Sequence, residues 1–255
     1  MSEAILLSEI KALQSRSKEL LLKQLSSRGV ALLEIDEAKE AEALHQGLLE
    51  AKNLSSFRFP PINVDVIKYE DIHRNAFRAL YETAISCLSL LMGSDQSHEA
   101  NCKSLFSESL DEPFPLDHAY HPTFFNLFNY DHGALNTHKD RGLLTIIHVD
   151  PPQEAPHEAS ALWIEGPQQT WSSGDELIRK AKVKKQNNLY ALLLVGEEGE
   201  TLFHERGQLD LYAADHSVRV EPTGEYISHS HHQRDPQTRP HNNRLSAALI
   251  LRKQR

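Results

Sequence analysis

The sequence lacks features that are typical of several large classes of protein. It has only two cysteines in 255 residues, which excludes a disulfide-rich secreted scaffold. Its longest apolar runs, such as Tyr190 to Val195, are far shorter than the ~20 residues of a membrane-spanning helix. No basic stretch followed by an apolar segment opens the chain, so no signal peptide is expected. These absences predict a globular protein of the cytoplasm, with no membrane partner.

Basic residues are also scarce relative to acidic ones. Lysine and arginine number 27 against 36 aspartates and glutamates, a formal charge of −9. Such a balance argues against a protein whose task is to bind the phosphate backbone of nucleic acids. Histidine, in contrast, is abundant: 12 of the 15 histidines lie at or after His118. Because histidine is the commonest metal ligand, a functional site is expected in the second half of the chain.

Hydrophobic periodicity divides the chain into two regions. Residues 1–115 read as a helical region with one short buried strand, and residues 116–255 as a β-rich region. Segments with helical spacing are centred on residues 5–28, 37–54 and 69–91, and the strand is Val30 to Ile35. We expect one compact unit that is mainly β, with the N-terminal helices packed on the β-rich core. The strands predicted there are Phe124 to Tyr130, Leu143 to Val149, Leu189 to Val195, Leu209 to Ala213, Tyr226 to His232 and Arg244 to Leu251.

Two short patterns in the β-rich region suggest chemistry. In His138-Lys139-Asp140 an imidazole and a carboxylate project from the same face of an extended segment. With a second histidine they form the two-histidine, one-carboxylate set that binds Fe(II) and leaves positions open. In the last strand Arg244 and Ser246 share a face and suit a carboxylate ligand. The sequence has no H-E-x-x-H zinc motif, G-x-S-x-G nucleophile motif, phosphate loop or G-x-G-x-x-G.

Together these motifs resemble the 2-oxoglutarate and Fe(II)-dependent dioxygenase superfamily, in particular its isopenicillin N synthase-like, plant-type branch. That family has an Asn-Tyr strand end, H-x-D before a Leu-Thr run, a later histidine in an Ala-x-x-His-x-Val context, and a closing R-x-S. The counterparts here are Asn129-Tyr130, His138-Lys139-Asp140, Leu144-Thr145, Ala213 to Val218 and Arg244-Leu245-Ser246.

The resemblance implies a double-stranded β-helix, or jelly roll, buttressed by helices. It implies that His138, Asp140 and His216 hold Fe(II), and that Arg244 and Ser246, with Tyr130 as a helper, bind 2-oxoglutarate. The implied reaction is an oxidation of a small organic substrate, most simply a hydroxylation, that consumes O2 and releases succinate and CO2. Ascorbate is implied as a reductant.

The identity of the second histidine stays open at this point. His216 follows His138 by 78 residues and Arg244 follows His216 by 28, both longer than the family's usual intervals. A rival register makes His231 the ligand, with His229 on the same strand face. Two other functions also remain: a cupin-like zinc or nickel protein, and a catalytically silent family member that only binds.

Overall fold

The structure is a computed structural model that describes residues 3–53, 71–93, 124–130, 133–150, 161–183, 188–208, 210–220 and 244–252. Six α-helices lie in these segments: α1 Leu7–Lys11, α2 Ser15–Arg28, α3 Ala38–Asn53, α4 Asp71–Met92, α5 Gly174–Lys182 and α6 Glu197–Glu205. Ten strands accompany them: β1 Ile5–Leu6, β2 Ala31–Ile35, β3 Phe124–Tyr130, β4 Gly133–His138, β5 Leu144–Asp150, β6 Leu162–Glu165, β7 Trp171–Ser173, β8 Leu189–Val195, β9 His216–Val220 and β10 Arg244–Leu251.

The strands form two sheets. The larger has the order β1-β2-β8-β5-β10-β3 and the smaller β4-β9-β6-β7. Within each sheet the pairs are antiparallel, apart from the short parallel pair of β1 and β2. Two sheets of mostly antiparallel strands, with helices against the larger one, fit a jelly-roll fold. The N-terminal region therefore contributes two strands to the larger sheet in addition to its helices.

Two hydrophobic clusters lie on the two faces of the larger sheet. One joins residues such as Leu33, Leu193 and Leu249 to the N-terminal helices, and the other joins Val149 and Leu192 to the smaller sheet. Because the larger sheet is covered on both faces, successive residues of its central strands are buried instead of alternating between core and solvent. β8 illustrates this, since all its residues after Leu189 are buried.

The end of α2 brings the N-terminal region close to the smaller sheet. Gly29 ends the helix in the left-handed conformation, with φ 71°, and its N–H donates to the Leu25 carbonyl. A Cβ at this position would lie 2.9 Å from both the Ala214 side chain and the Glu165 carbonyl oxygen. Glycine is therefore required here for its backbone conformation and for the close approach.

The predicted helices and most predicted strands are confirmed where the structure describes them, with three corrections. Ile5–Leu6 is a strand rather than the start of a helix. A strand was expected from Leu209 to Ala213, but residues 210–213 contain no strand. The N–H of Leu211 donates instead to the Gln208 carbonyl, which is a turn contact. The next strand along the chain is β9, which begins at His216. The predicted strand Tyr226 to His232 lies outside the described residues.

The third correction concerns residues 166–188, expected as a long loop with a short helix over 175–182. The helix is present as α5, but the edge strand β7 precedes it. Its N-cap, Ser173, accepts a hydrogen bond from the Glu176 N–H, and Asp175 lies in its first turn. The strand was missed because it has only three residues and no clear alternation.

Asp175 links α5 to the smaller sheet, and its removal is expected to destabilise the protein. Its buried carboxylate accepts hydrogen bonds from the backbone N–H groups of Ala161, at 2.6 Å, and Leu162, at 2.9 Å. Asp175→Ala leaves both buried donors without this partner, which costs about 2–4 kcal/mol in unfolding free energy. Urea unfolding followed by circular dichroism measures the loss. Asp210→Ala, a change at an exposed aspartate, serves as the control.

Two further features concern a cysteine and the length of the helices. Cys87 is a free, buried thiol, and burial raises its pKa to about 12, so it behaves as a core residue. No helix in the described segments combines the length and apolar character that a bilayer crossing requires.

Candidate metal centre

Three of the predicted site residues meet at one end of the smaller sheet. His138 ends β4, Asp140 follows in the next loop, and His216 begins β9. Because β4 and β9 are antiparallel partners, the end of one strand lies beside the start of the other, and His138 is paired with His216. The donor atoms of the three side chains all lie within 4.8 Å of one another. Residues 78 positions apart in the sequence thus share one site.

The distances between these atoms suit ligands of a common cation. His138 Nε2 is 3.7 Å from Asp140 Oδ1, and His216 Nε2 is 3.4 Å from Asp140 Oδ2. The imidazole ring centroids are 4.3 Å apart. First-row metals bind nitrogen and oxygen ligands at about 2.0–2.2 Å, which places neighbouring ligand atoms roughly 3 Å from each other. Small movements of the side chains therefore accommodate a metal ion, and the donor set of two nitrogens and one oxygen fits Fe(II).

Backbone carbonyls orient both imidazoles. The Nδ1 atom of His138 lies 2.8 Å from the Asn136 carbonyl oxygen, and that of His216 lies 3.3 Å from the Ala214 carbonyl oxygen. When Nδ1–H donates to a carbonyl, the lone pair is on Nε2, the atom that faces Asp140. This arrangement is typical of histidines that bind metals.

The carboxylate of Asp140 is held as well. Thr145 on β5, a strand of the other sheet, donates its hydroxyl to Asp140 Oδ2 at 2.6 Å. The hydrogen bond restricts rotation of the carboxylate and connects the candidate metal centre to the larger sheet. Sequence patterns gave Thr145 no role in the site; the signal available for one was its position five residues after Asp140, in a predicted strand.

Burial keeps His216 in the form that can bind a metal. The side chain is 6% exposed, and this burial lowers its pKa below the ordinary value. The neighbouring His138 acts in the same direction, whereas the Asp140 carboxylate acts in the opposite one. A lowered pKa means that the imidazole is neutral at pH 7 and that its lone pair is available.

The loop that carries Asp140 rests on the first turn of α6. The N–H groups of Glu197 and Glu198 donate to the carbonyls of Asp140, at 2.8 Å, and Gly142, at 3.1 Å. These are N–H groups that a helix terminus would otherwise leave without backbone partners. The approach is close: a Cβ at Gly199 would lie 2.0 Å from the Leu143 carbonyl oxygen. The sequence showed this segment only as the end of an apolar strand, and α6 was not predicted.

The residues predicted to bind 2-oxoglutarate lie together in the larger sheet. Arg244 is directly opposite Tyr130 in the pairing of β10 with β3, and Ser246 lies two positions further along. Ser246 is buried, and Ala248 on the same face contacts the cluster between the two sheets. The backbone positions of Arg244 and Ser246 are therefore on the face of β10 towards the smaller sheet. The side chains of Arg244 and Tyr130 lie outside the described part of the structure, as do His229 and His231.

No protein-family model matches the chain, and no curated protein matches it in sequence. Solved structures do resemble it. A full-length Neurospora crassa protein in complex with alpha-KG has a TM-score of 0.58 at 11% identity, over 99% of this chain and 85% of that chain. The Arabidopsis thaliana dioxygenase for auxin oxidation 1, as a binary complex with 2-oxoglutarate, has a TM-score of 0.55 at 14% identity, over 99% and 93%.

A third similar structure is a prolyl hydroxylase from Trichoplax adhaerens in complex with a hypoxia inducible factor peptide fragment. Its TM-score is 0.50 at 11% identity, over 97% of this chain and 92% of that chain. Identities this low establish a common fold only. From the sheet arrangement and these similarities, we conclude that the chain has the fold of 2-oxoglutarate-dependent oxygenases.

Proposed function

We propose that the protein is an Fe(II)- and 2-oxoglutarate-dependent oxygenase that oxidises, most simply by hydroxylation, a small organic molecule. One observation carries the proposal: two imidazoles and one carboxylate have their donor atoms within 4.8 Å of one another, at the end of the smaller sheet and beside Thr145 of the larger sheet. The fold shared with proteins solved in complex with 2-oxoglutarate agrees with it. We further propose that the core is a double-stranded β-helix of the plant-type branch.

In this proposal His138, Asp140 and His216 would hold Fe(II). With 2-oxoglutarate and O2, the iron would oxidise a substrate carbon, and succinate and CO2 would be released. The contacts of the two Nδ1 atoms with the carbonyls of Asn136 and Ala214 would leave both Nε2 lone pairs available to the ion. Thr145 keeps one oxygen of Asp140 in position. A facial set of three protein ligands leaves the remaining positions to other molecules.

We propose that Arg244 and Ser246 bind the distal carboxylate of 2-oxoglutarate, with Tyr130 beside them. A guanidinium offers two parallel donors to a carboxylate, and a hydroxyl adds a short third donor. Their positions on the inner face of β10 support this role. The substrate, O2 and ascorbate as a reductant complete the proposed set of small-molecule partners.

An anaerobic absorption spectrum tests the proposal directly. Protein with Fe(II) should show a visible charge-transfer band when 2-oxoglutarate is added, and the band should disappear when oxygen is admitted. A cupin-like zinc or nickel protein would show no change with 2-oxoglutarate. A binding protein without activity would show the band, but the band would persist in oxygen and no succinate would form.

Arg244→Ala is expected to weaken the binding of 2-oxoglutarate. Loss of a charge-assisted pair raises the apparent KM for 2-oxoglutarate about tenfold or more, with a smaller effect on kcat. Succinate formation at varied 2-oxoglutarate concentration measures both constants. Arg206→Ala, at an exposed arginine after α6, is the matched control. An unchanged KM in Arg244→Ala would contradict the assignment of Arg244 to 2-oxoglutarate binding. It would not bear on the proposed metal centre.

A further inference from the structure

The segment that leads into His216 has no neighbouring strand to hold its first residues. Residues 211–215 form neither helix nor strand, although Ala213 and Ala214 are buried. A buried backbone N–H requires an acceptor, because leaving it without one costs as much as a lost hydrogen bond. For Ala213 the acceptor is a side chain, since its N–H donates to Glu200 Oε2 at 3.1 Å. Glu200 belongs to α6, so that helix holds the approach to β9.

Glu200 lies on the same turn of α6 that holds the loop of Asp140. The N–H of Glu197 donates to the Asp140 carbonyl at 2.8 Å, and Glu200 follows three positions later. The N–H of Glu200 itself donates to the Gly196 carbonyl at 2.9 Å, which is the regular helical bond. Three residues of helix span about 4.5 Å along the axis. One hydrogen-bonded turn therefore contacts the loop of Asp140 and the segment before His216.

Ala214 connects this attachment to the His216 imidazole. Its carbonyl oxygen lies 3.3 Å from His216 Nδ1 and orients the ring. On one side of Ala214 the preceding N–H is held by Glu200. On the other side the Asp215 carbonyl accepts the N–H of Glu165, at 2.8 Å, which extends the pairing of β6 with β9. The carbonyl that orients His216 is thus held from both directions, and Glu200 supplies the contact from outside the sheet.

We propose that Glu200 is a positioning residue of the candidate metal centre. Its carboxylate attaches the segment before β9 to α6, and thereby sets where the His216 imidazole lies relative to Asp140, whose loop α6 also holds. A set of metal ligands needs its donors held within about 0.5 Å of the productive geometry, so loss of this attachment should weaken metal binding. The inference rests on the proposed function for the identity of the metal, whereas the positioning is a property of the metal-free protein.

Hydrogen exchange of the metal-free protein, measured by NMR, tests the attachment itself. Glu200→Ala removes the acceptor, so the amide of Ala213 should exchange about tenfold faster or more. Glu200→Gln keeps an oxygen acceptor at the same reach and should retain most of the protection. Glu200→Asp keeps the charge but is one methylene shorter, and it should lose the protection. The amide of Leu193, in the centre of the larger sheet, reports global unfolding and should change by a smaller factor.

Anaerobic equilibrium dialysis with Fe(II) tests the consequence for the metal centre. Groups that hold a ligand directly typically contribute 10–100-fold to metal affinity. Because Glu200 acts through Ala213 and Ala214, Glu200→Ala should weaken the affinity about tenfold, at the lower end of that range. Glu200→Gln should restore most of the affinity, because its side-chain carbonyl can accept the Ala213 N–H.

Two controls separate positioning from a general loss of stability or charge. Asp175→Ala also removes a carboxylate that accepts buried backbone N–H groups, but on α5, which carries none of the three ligands. It leaves two donors without this partner, so it should destabilise the protein at least as much while iron affinity stays unchanged. Glu205→Ala removes the same charge at an exposed position of α6, and should change neither exchange at Ala213 nor iron affinity.

Three outcomes would overturn the proposal. The first is unchanged exchange at Ala213 in Glu200→Ala. The second is normal iron affinity in Glu200→Ala despite faster exchange, and the third is an equal loss of iron affinity in Asp175→Ala. If the unmodified protein binds no Fe(II), the proposed function fails, yet faster exchange in Glu200→Ala that Glu200→Gln restores would still establish that Glu200 holds this segment. Circular dichroism confirms that each variant is folded.

Discussion

His216→Ala is expected to abolish Fe(II)-dependent turnover of 2-oxoglutarate, as are His138→Ala and Asp140→Ala. Each change leaves two of the three donors that meet at the end of the smaller sheet. Substituting a residue that only supports a ligand typically costs 10–100-fold in metal affinity, so loss of a ligand should cost about a hundredfold or more. Anaerobic equilibrium dialysis with Fe(II) measures the affinity, and succinate formation measures turnover.

The matched control is His45→Ala, at an exposed histidine on α3, which should bind iron normally. Thr145→Val provides a graded test, because it removes only the hydrogen bond to Asp140 and should weaken the affinity for iron 10–100-fold. His231→Ala tests the rival assignment. If that variant loses iron and His216→Ala retains it, His216 is not the second histidine ligand. Retained iron in all three alanine variants would exclude the proposed metal centre.

Gly199→Ala is expected to lower both stability and the affinity for iron. In a helix such as α6, alanine is intrinsically favoured over glycine by about 1 kcal/mol. Here the added Cβ would lie 2.0 Å from the Leu143 carbonyl oxygen, so the loop of residues 140–143 must move away from the helix. Overpacking of this kind costs about 1–3 kcal/mol, and a clash with backbone lies at the upper end or beyond. The clash therefore outweighs the helix propensity.

The movement should extend to the metal centre, because the Asp140 carbonyl is hydrogen-bonded to the same helix turn. We expect the midpoint of thermal unfolding to fall by about 4–10 °C and the affinity for Fe(II) to fall about tenfold. Gly207→Ala is the control: its Cβ would meet nothing within 4 Å, so only its positive φ of 79° adds strain. A Gly199→Ala variant as stable as the unmodified protein would show that this close approach does not hold the loop.

Local patterns in the sequence predicted most of the elements of the fold. Helical spacing predicted α2, α3 and α4, and continuous apolar runs predicted β2, β5, β8 and β10, because their buried faces impose a clear pattern. The short strands β1, β4, β6, β7 and β9 and the helix α6 were not among the predicted elements, since segments of so few residues carry no distinguishable period. The strand predicted over residues 210–213 was wrong for a related reason. Leu211 and Ala213 alternate with polar residues as in a strand, but both are buried in a segment that forms no strand.

By itself, the sequence determined which residues are available as ligands, the close spacing of His138 and Asp140, and the excess of acidic charge. It left the choice between His216 and His231 open, since neighbouring residues do not specify which strands become partners. Tertiary structure decided what no local pattern records: the pairing that places β9 beside β4, and with it His216 beside His138. It also decided that Thr145 of the larger sheet lies beside Asp140, because the packing of the two sheets depends on contacts between distant segments.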